Sequence, residues 1–137
     1  MNIVYRDQAP TKEQFNALFE TSGWNRGYNA TPEELIQAVY NSQFCVAAYD
    51  NGQLVGFGRV VTDGVLHAMI YDMIVLPSHQ GHGIGTWILN ALVLKCQQAH
   101  IRDIQLFCAS GRRSFYEKSG FETRPMDAPG MQYRPMS

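Results

Sequence analysis

Val75-Leu76-Pro77-Ser78-His79-Gln80-Gly81-His82-Gly83-Ile84-Gly85 is the stretch on which the fold of this 137-residue chain turns. Before it, residues 65–76 read as a long strand that Pro77 ends. Along that strand His67, Met69, Tyr71, Met73 and Val75 sort to one face, and Ala68, Ile70, Asp72, Ile74 and Leu76 to the other. After it, Ile84, Trp87, Ile88, Ala91, Leu92 and Val93 form the wide apolar stripe of a helix over 85–99 lying on a sheet. A further strand over 101–108 completes a β-α-β unit, so the two strands are expected to be parallel neighbours with a right-handed crossover. Glycines between strand and helix let a ligand approach the backbone, and the first helical N–H groups favour phosphate or pyrophosphate. A Walker loop would need G-K-[ST], which is missing. A dinucleotide fingerprint would need G-x-G-x-x-G at the first strand, whereas here the spacing is G-x-G-x-G after about 80 residues. As a bare regularity the loop is also compatible with a tight turn.

Outward from this unit the elements are legible in turn. Residues 2–6 alternate weakly, as a first strand would. Thr11-Lys12-Glu13-Gln14 and Thr31-Pro32-Glu33-Glu34 are capping boxes that start two helices, separated by a loop holding Trp24 and Tyr28. Strands over 44–49 and 53–61 meet at Asn51-Gly52, a tight antiparallel hairpin. A short helix over 112–119 stops at Gly120, and residues 131–134 allow one more strand. The expected fold class is therefore α/β: a mixed, mostly antiparallel sheet with one parallel pair, flanked by helices on both faces, in a single domain over residues 1–137.

Composition narrows the function. Apolar residues make up 45% of the chain and charged residues 17%, which excludes a disordered segment. A net charge of −1 gives no footprint for nucleic acid. Apolar runs are far shorter than a membrane span of about 20 residues, and the N-terminus lacks the marks of a signal peptide. Cys45, Cys96 and Cys108, widely spaced and odd in number, read as buried thiols of a cytoplasmic protein.

Residues 75–85 resemble the V-x-P-x-x-[QR]-x-x-G-x-G signature of the GNAT superfamily, the Gcn5-related N-acetyltransferases. Phe115-Tyr116-Glu117-Lys118-Ser119-Gly120-Phe121 matches the family's F-Y-x-x-x-G-F segment, and Leu54-Val55-Gly56-Phe57 its L-V-G-F strand. The resemblance implies transfer of an acetyl group from acetyl-coenzyme A, as cosubstrate, to a primary amine of a small molecule or peptide by direct attack. It implies that backbone groups of Ile74 and Val75 pair with the pantetheine arm. Gln80, Gly81, His82, Gly83, Ile84, Gly85 and Thr86 would hold the pyrophosphate, and Tyr116 would stand near the coenzyme sulfur. No metal is implied, and homodimers are common in the family. Many members carry an Asn about seven residues before the Tyr; here Ala109 stands there, so either Ser110 or Arg112 substitutes or the contact is absent.

Acetyl transfer needs a neutral amine, a polarised carbonyl and a proton for the departing thiolate. A phenol, with a reference pKa of about 10, suits the last role, so Tyr116 is the candidate acid. The base stays open among Tyr71, Asp72, His67 and an ordered water chain, because Met69 and Tyr71 occupy the positions where relatives carry Glu or His. Asp72, mid-strand among apolar residues, should have a partner. Trp24 and Tyr28 lie where the family builds its acceptor wall, and Arg59 could bind acceptor charge or pair with Asp63. His79 and His82, three apart, are the weak case for a metal pair, and Cys108 for a nucleophile. A sensor of acyl-coenzyme A without turnover, and an enzyme using the loop for ATP or NAD, are the alternatives.

Overall fold

Thr11 and Thr31 each open a helix in the computed structural model, which describes residues 1–134. Thr11 accepts from the Gln14 amide at 3.2 Å while the Gln14 side chain accepts from the Thr11 amide at 3.2 Å. Thr31 and Glu34 exchange the same pair at 3.1 and 2.9 Å. Each box satisfies two amides that a helix start leaves unpaired. The helices are α1 (Lys12–Glu20), which buries Phe15, Leu18 and Phe19, and α3 (Pro32–Tyr40), which buries Leu35, Ile36 and Val39. The loop expected between them contains a short helix, α2 (Asn25–Tyr28). The Asn25 side chain closes the segment by bonding both the amide and the carbonyl of Ala30, at 2.9 and 3.0 Å.

The chain forms two compact units, Met1–Leu106 and a second that begins at Phe107. The first holds a five-stranded sheet in chain order, β1 (Ile3–Arg6), β2 (Phe44–Asp50), β3 (Gln53–Thr62), β4 (His67–Val75) and β5 (Asp103–Leu106). The first three pairings are antiparallel, and β4 pairs with β5 in parallel. Asn51 at φ 49° and Gly52 at φ 83° make the hairpin turn whose twist suits the flanking strands.

α1 and α3 cover one face of the sheet, packing on Cys45, Ala47, Phe57 and Ile74. α4 (Ile84–Gln98) covers the other, burying Ile84, Ile88, Leu89, Leu92 and Cys96. It lies close because Gly56 and Gly58 have no side chains: a Cβ on Gly58 would sit 2.6 Å from Met73 Sδ and 2.8 Å from Leu92 Cδ1.

Four expectations change. β4 does not alternate evenly from end to end: Phe57 pairs with Ile74 but Arg59 with Tyr71, so Asp72 and Met73 together oppose Gly58. This is a β-bulge, with Asp72 at φ 58°. Ala68 and Ile70 therefore face α4, whereas Ile74 faces α1 and α3. β4 also starts at His67 rather than Val65, because Asp63 Oδ1 accepts the amides of Val65, Leu66 and His67 and holds them in a turn. β5 stops at Leu106, which leaves Cys108 exposed rather than buried in a strand. No strand forms over 131–134.

The second unit contains α5 (Arg113–Glu117), after which Gly120 takes φ 94° as expected of a helix stop. Among the described residues no helix is long and apolar enough to cross a membrane.

Candidate active site

Parallel pairing of β4 with β5 runs from His67↔Asp103 to Ile70↔Leu106 and ends there. β4 continues to Val75, so over Tyr71–Val75 it has β3 on one side and no ladder partner described on the other. Such an edge presents backbone N–H and C=O groups that an extended amide-bearing ligand can join as an added strand. Ile74 is buried under α1 and α3, and Val75 is half-buried at the end of this edge.

The chain leaves the edge through a 3-10 turn, Pro77–His79, and enters the glycine loop. Gln80 Nε2 donates to the Val75 carbonyl at 3.0 Å, tying the loop back to the strand it follows. Gly81 and Gly83 stand at φ 80° and 81° with no atom within 4 Å of an added Cβ. Glycine is needed there for the backbone turn rather than for space. Gly83 is the N-cap of α4 and supplies no side chain, so the positive end of a 15-residue helix is left for an anion. Gly81, His82, Gly83 and Thr86 are exposed around it, Gly85 is half-buried, and Ile84 points into the core.

His79 has partners other than His82 at both ring nitrogens. Its Nδ1 lies 2.8 Å from Ser78 Oγ and its Nε2 2.9 Å from Asp50 Oδ2, at the end of β2. Asp50 also accepts from the Asn2 amide at 3.2 Å. The His79 hydrogen bond, then the Asn2 amide, hold the Asp50 carboxyl below the usual carboxylate range. Among the described residues no three of His, Cys, Asp and Glu gather in a metal-binding group.

Arg59, Tyr71 and Asp72 come together. Arg59 Nε donates to Asp72 Oδ2 at 2.6 Å, with only 16% and 15% of the two side chains exposed. Arg59 Nη1 reaches Ser42 Oγ at 3.2 Å and the Ala38 carbonyl at 3.5 Å, and its guanidinium carbon lies 5.5 Å from the centre of the Tyr71 ring. The partner expected of Asp72 is thus Arg59. Arg59 does not pair with Asp63, whose carboxylate is taken by its own turn. Tyr71 and Asp72, adjacent residues expected on opposite faces, both meet Arg59 because of the bulge. Of the proposed acceptor wall, Trp24 sets its edge against Phe19 with ring centres 6.1 Å apart, while Tyr28 stands exposed on α2.

In the second unit Tyr116 is buried, edge-on to Phe115 and Phe121 at 5.0 and 6.1 Å. Burial pushes its phenol up from the ordinary value of about 10, Cys108 adds to this, and Arg112 opposes it. Ser110 is exposed, just before Gly111 at φ 78°.

Sequence reasoning did not find Asp50, which lies 29 residues from His79 and carries no local signal. Nor did it find the bulge, although a carboxylate in the middle of an apolar strand was its one available sign.

The family model described as "Acetyltransferase (GNAT) domain" matches residues 41–123. The uncharacterized N-acetyltransferase ycf52 of Pyropia yezoensis is 38% identical over 127 residues, covering 89% of this chain and 71% of that protein. Against two other curated relatives the chain spans only 35% and 48% of their length. SA2161 of meticillin-resistant Staphylococcus aureus, a protein of unknown function and probable acetyltransferase, superposes with a TM-score of 0.83 at 26% identity, covering 98% and 100% of the two chains. The PaiA N-acetyltransferase of Thermoplasma acidophilum, solved in complex with coenzyme A, shares the fold with a TM-score of 0.71 at 19% identity, covering 90% and 92%.

Proposed function

The chain belongs to the GNAT acetyltransferase family, and from that premise we propose that it moves an acetyl group from acetyl-coenzyme A to a primary amine of a small molecule or peptide. The observation that carries this reading is one continuous run of chain. An unladdered strand edge over Tyr71–Val75 leads directly into a glycine loop whose positive φ values open the N-terminus of α4. The edge suits the amides of a pantetheine arm, and the loop from Gln80 to Thr86 suits a pyrophosphate.

In this reading the N–H groups near Ile74 and Val75 polarise the thioester carbonyl as the amine attacks. The C–N amide bond forms, the C–S bond breaks, and Tyr116 gives its proton to the departing thiolate. A phenol is protonated at neutral pH at its ordinary value, and burial shifts it further the same way. Asp72 has one carboxylate oxygen committed to Arg59, and the Tyr71 ring is covered by the same guanidinium. His67 stands at the opposite end of β4 from Val75, its Nδ1 3.5 Å from Asp103 Oδ2, and in this reading the proton lost by the amine leaves through ordered water. Trp24 and Tyr28 offer aromatic faces to an acceptor with a cationic or apolar part, a polyamine or an arylalkylamine. Ser110 takes the pantetheine contact left open at Ala109. A reducing aqueous compartment, the cytoplasm or an organelle stroma, suits three unpaired cysteines.

The engagement of Asp72 favours one second reading, a sensor that binds acyl-coenzyme A without turnover. Thermal melting with acetyl-coenzyme A, coenzyme A, ATP and NAD comes first. Ligand at about 100 times its dissociation constant adds roughly 2.7 kcal/mol, a rise of about 8–10 °C for this length. A rise with acetyl-coenzyme A and none with ATP or NAD supports the loop assignment, and no rise at millimolar coenzyme refutes both readings. Thiol release across an amine panel, with Tyr116→Phe as control, then separates enzyme from sensor.

A further inference from the structure

We infer that Arg59 is a positioning residue. By pairing with Asp72 it sets where β4 bulges, and so aims the strand edge at which acetyl transfer would take place.

The argument starts from what β4 would do without a bulge. Up to Ile70 its even-numbered residues face α4, so in an unbroken ladder Asp72 would follow them. It would then lie under Ile88 and Leu92, which are fully buried. A carboxylate cannot be placed among those side chains without a partner. Arg59 offers one on the opposite face, where it is already fastened to the end of α3 through Ser42 and Ala38.

Asp72 reaches that face by taking φ 58°, a left-handed conformation in which aspartate is tolerated far better than a branched or bulky residue. The extra residue this consumes shifts the register between Phe57↔Ile74 and Arg59↔Tyr71. It falls two residues after Ile70, the last position laddered to β5. The ion pair therefore stands where β4 leaves its parallel neighbour, and every backbone group from Met73 to Val75 inherits its direction from the bulge.

The functional part of this inference rests on the transferase reading; the structural part does not, and the test separates them. The pairings Phe57↔Ile74 and Arg59↔Tyr71 cannot coexist in a regular ladder, so cross-strand proton contacts by NMR report the bulge directly, without any substrate. Wild type should show both. Arg59→Met, which leaves Asp72 unpaired, should lose one of them or exchange between two registers. The double variant Arg59→Met with Asp72→Gly should show both again, because glycine takes the left-handed conformation freely and no charge remains unpaired.

Once an accepted amine is known, kcat of Arg59→Met should fall by about 100-fold with little change in acceptor KM, as expected when reacting groups are misaimed. The double variant should recover most of that loss. Both pairings intact in Arg59→Met, or an unchanged kcat, would overturn the inference. A double variant that shows both pairings but no recovery of kcat would mean that Asp72 acts in the chemistry and not only in shaping the strand. A wild-type protein that acetylates no amine would refute the transferase reading, while the NMR pairings would still decide the role of Arg59.

Discussion

Replacing Gly58 by alanine tests the close approach of α4 to the sheet. The added Cβ would stand 2.6 Å from Met73 Sδ, 2.8 Å from Leu92 Cδ1 and 3.0 Å from Ile88 Cγ2. Comfortable contacts between such atoms are about 3.5–4.0 Å, so the deficit approaches an ångström on three sides. All three are side-chain atoms, so relief comes from rotamer changes in Met73 and Leu92 or from a small outward shift of α4. Overpacking of this kind costs about 1–3 kcal/mol. With an unfolding entropy of roughly 2.1 cal/mol/K per residue, the melting temperature should fall by about 3–10 °C. Leu92→Ala alone should cost about 2–5 kcal/mol by opening a cavity. Combined, the two should cost less than their sum by about 0.5–3 kcal/mol, because the new methyl occupies part of the space that Leu92 vacates. Thermal and urea melts of the four proteins measure this cycle. A Gly58→Ala protein that melts within about one degree of wild type, or strict additivity, would refute the packing argument.

Tyr116→Phe should lower kcat by about 10²–10⁴-fold with acceptor KM little changed. Because burial raises the phenol, wild-type activity should survive past the ordinary phenol range before a basic limb that the variant lacks; equal high-pH limbs in the two proteins would remove Tyr116 from the role of acid. Cys45 and Cys96 are buried, which pushes both thiols up, whereas Cys108 is exposed. A thiol reagent should therefore titrate one cysteine in the native protein and three in denaturant, and prompt reaction of two native thiols would contradict the core described above. Asp50→Asn should raise the dissociation constant for coenzyme A by loosening His79 at the entrance to the loop. The Asp50 carboxyl is depressed, so its contribution is present above the ordinary carboxylate range and disappears as pH falls through the depressed value. Wild-type binding should lose this increment in acid and the variant should not; identical acid profiles would mean the loop is held by other contacts.

What was legible in the sequence was local. Both capping boxes, the Asn51-Gly52 hairpin and the glycine loop write their geometry into two to eleven consecutive residues, through side chains that cap or glycines that turn. The sequence over α2 looks like a loop because Trp24 caps it without a side-chain hydrogen bond and it spans only four residues. The sequence predicts a longer β5 because nothing in Phe107-Cys108 announces that the parallel ladder has ended. The contacts that position the candidate site are separated in the chain: Arg59 is 13 residues from Asp72, and Asp50 is 29 from His79. A propensity argument sees each of these charges and cannot pair them. The even alternation assumed for β4 failed for the same reason, since the bulge answers to an arginine on another strand.

That bulge has a further consequence for how the strand can change over time. Removing Asp72 from the count would leave Ile70 and Met73 facing α4, and Tyr71 and Ile74 facing the other helices, in an unbroken alternation. The two cores are thus indifferent to whether the extra residue is present. Asp72 behaves as a phase-neutral insertion: one codon gained or lost here would reshape the strand edge while leaving every buried position on its proper side. The geometry of the edge can therefore be revised by the smallest possible length change, independently of the packing that keeps the sheet folded.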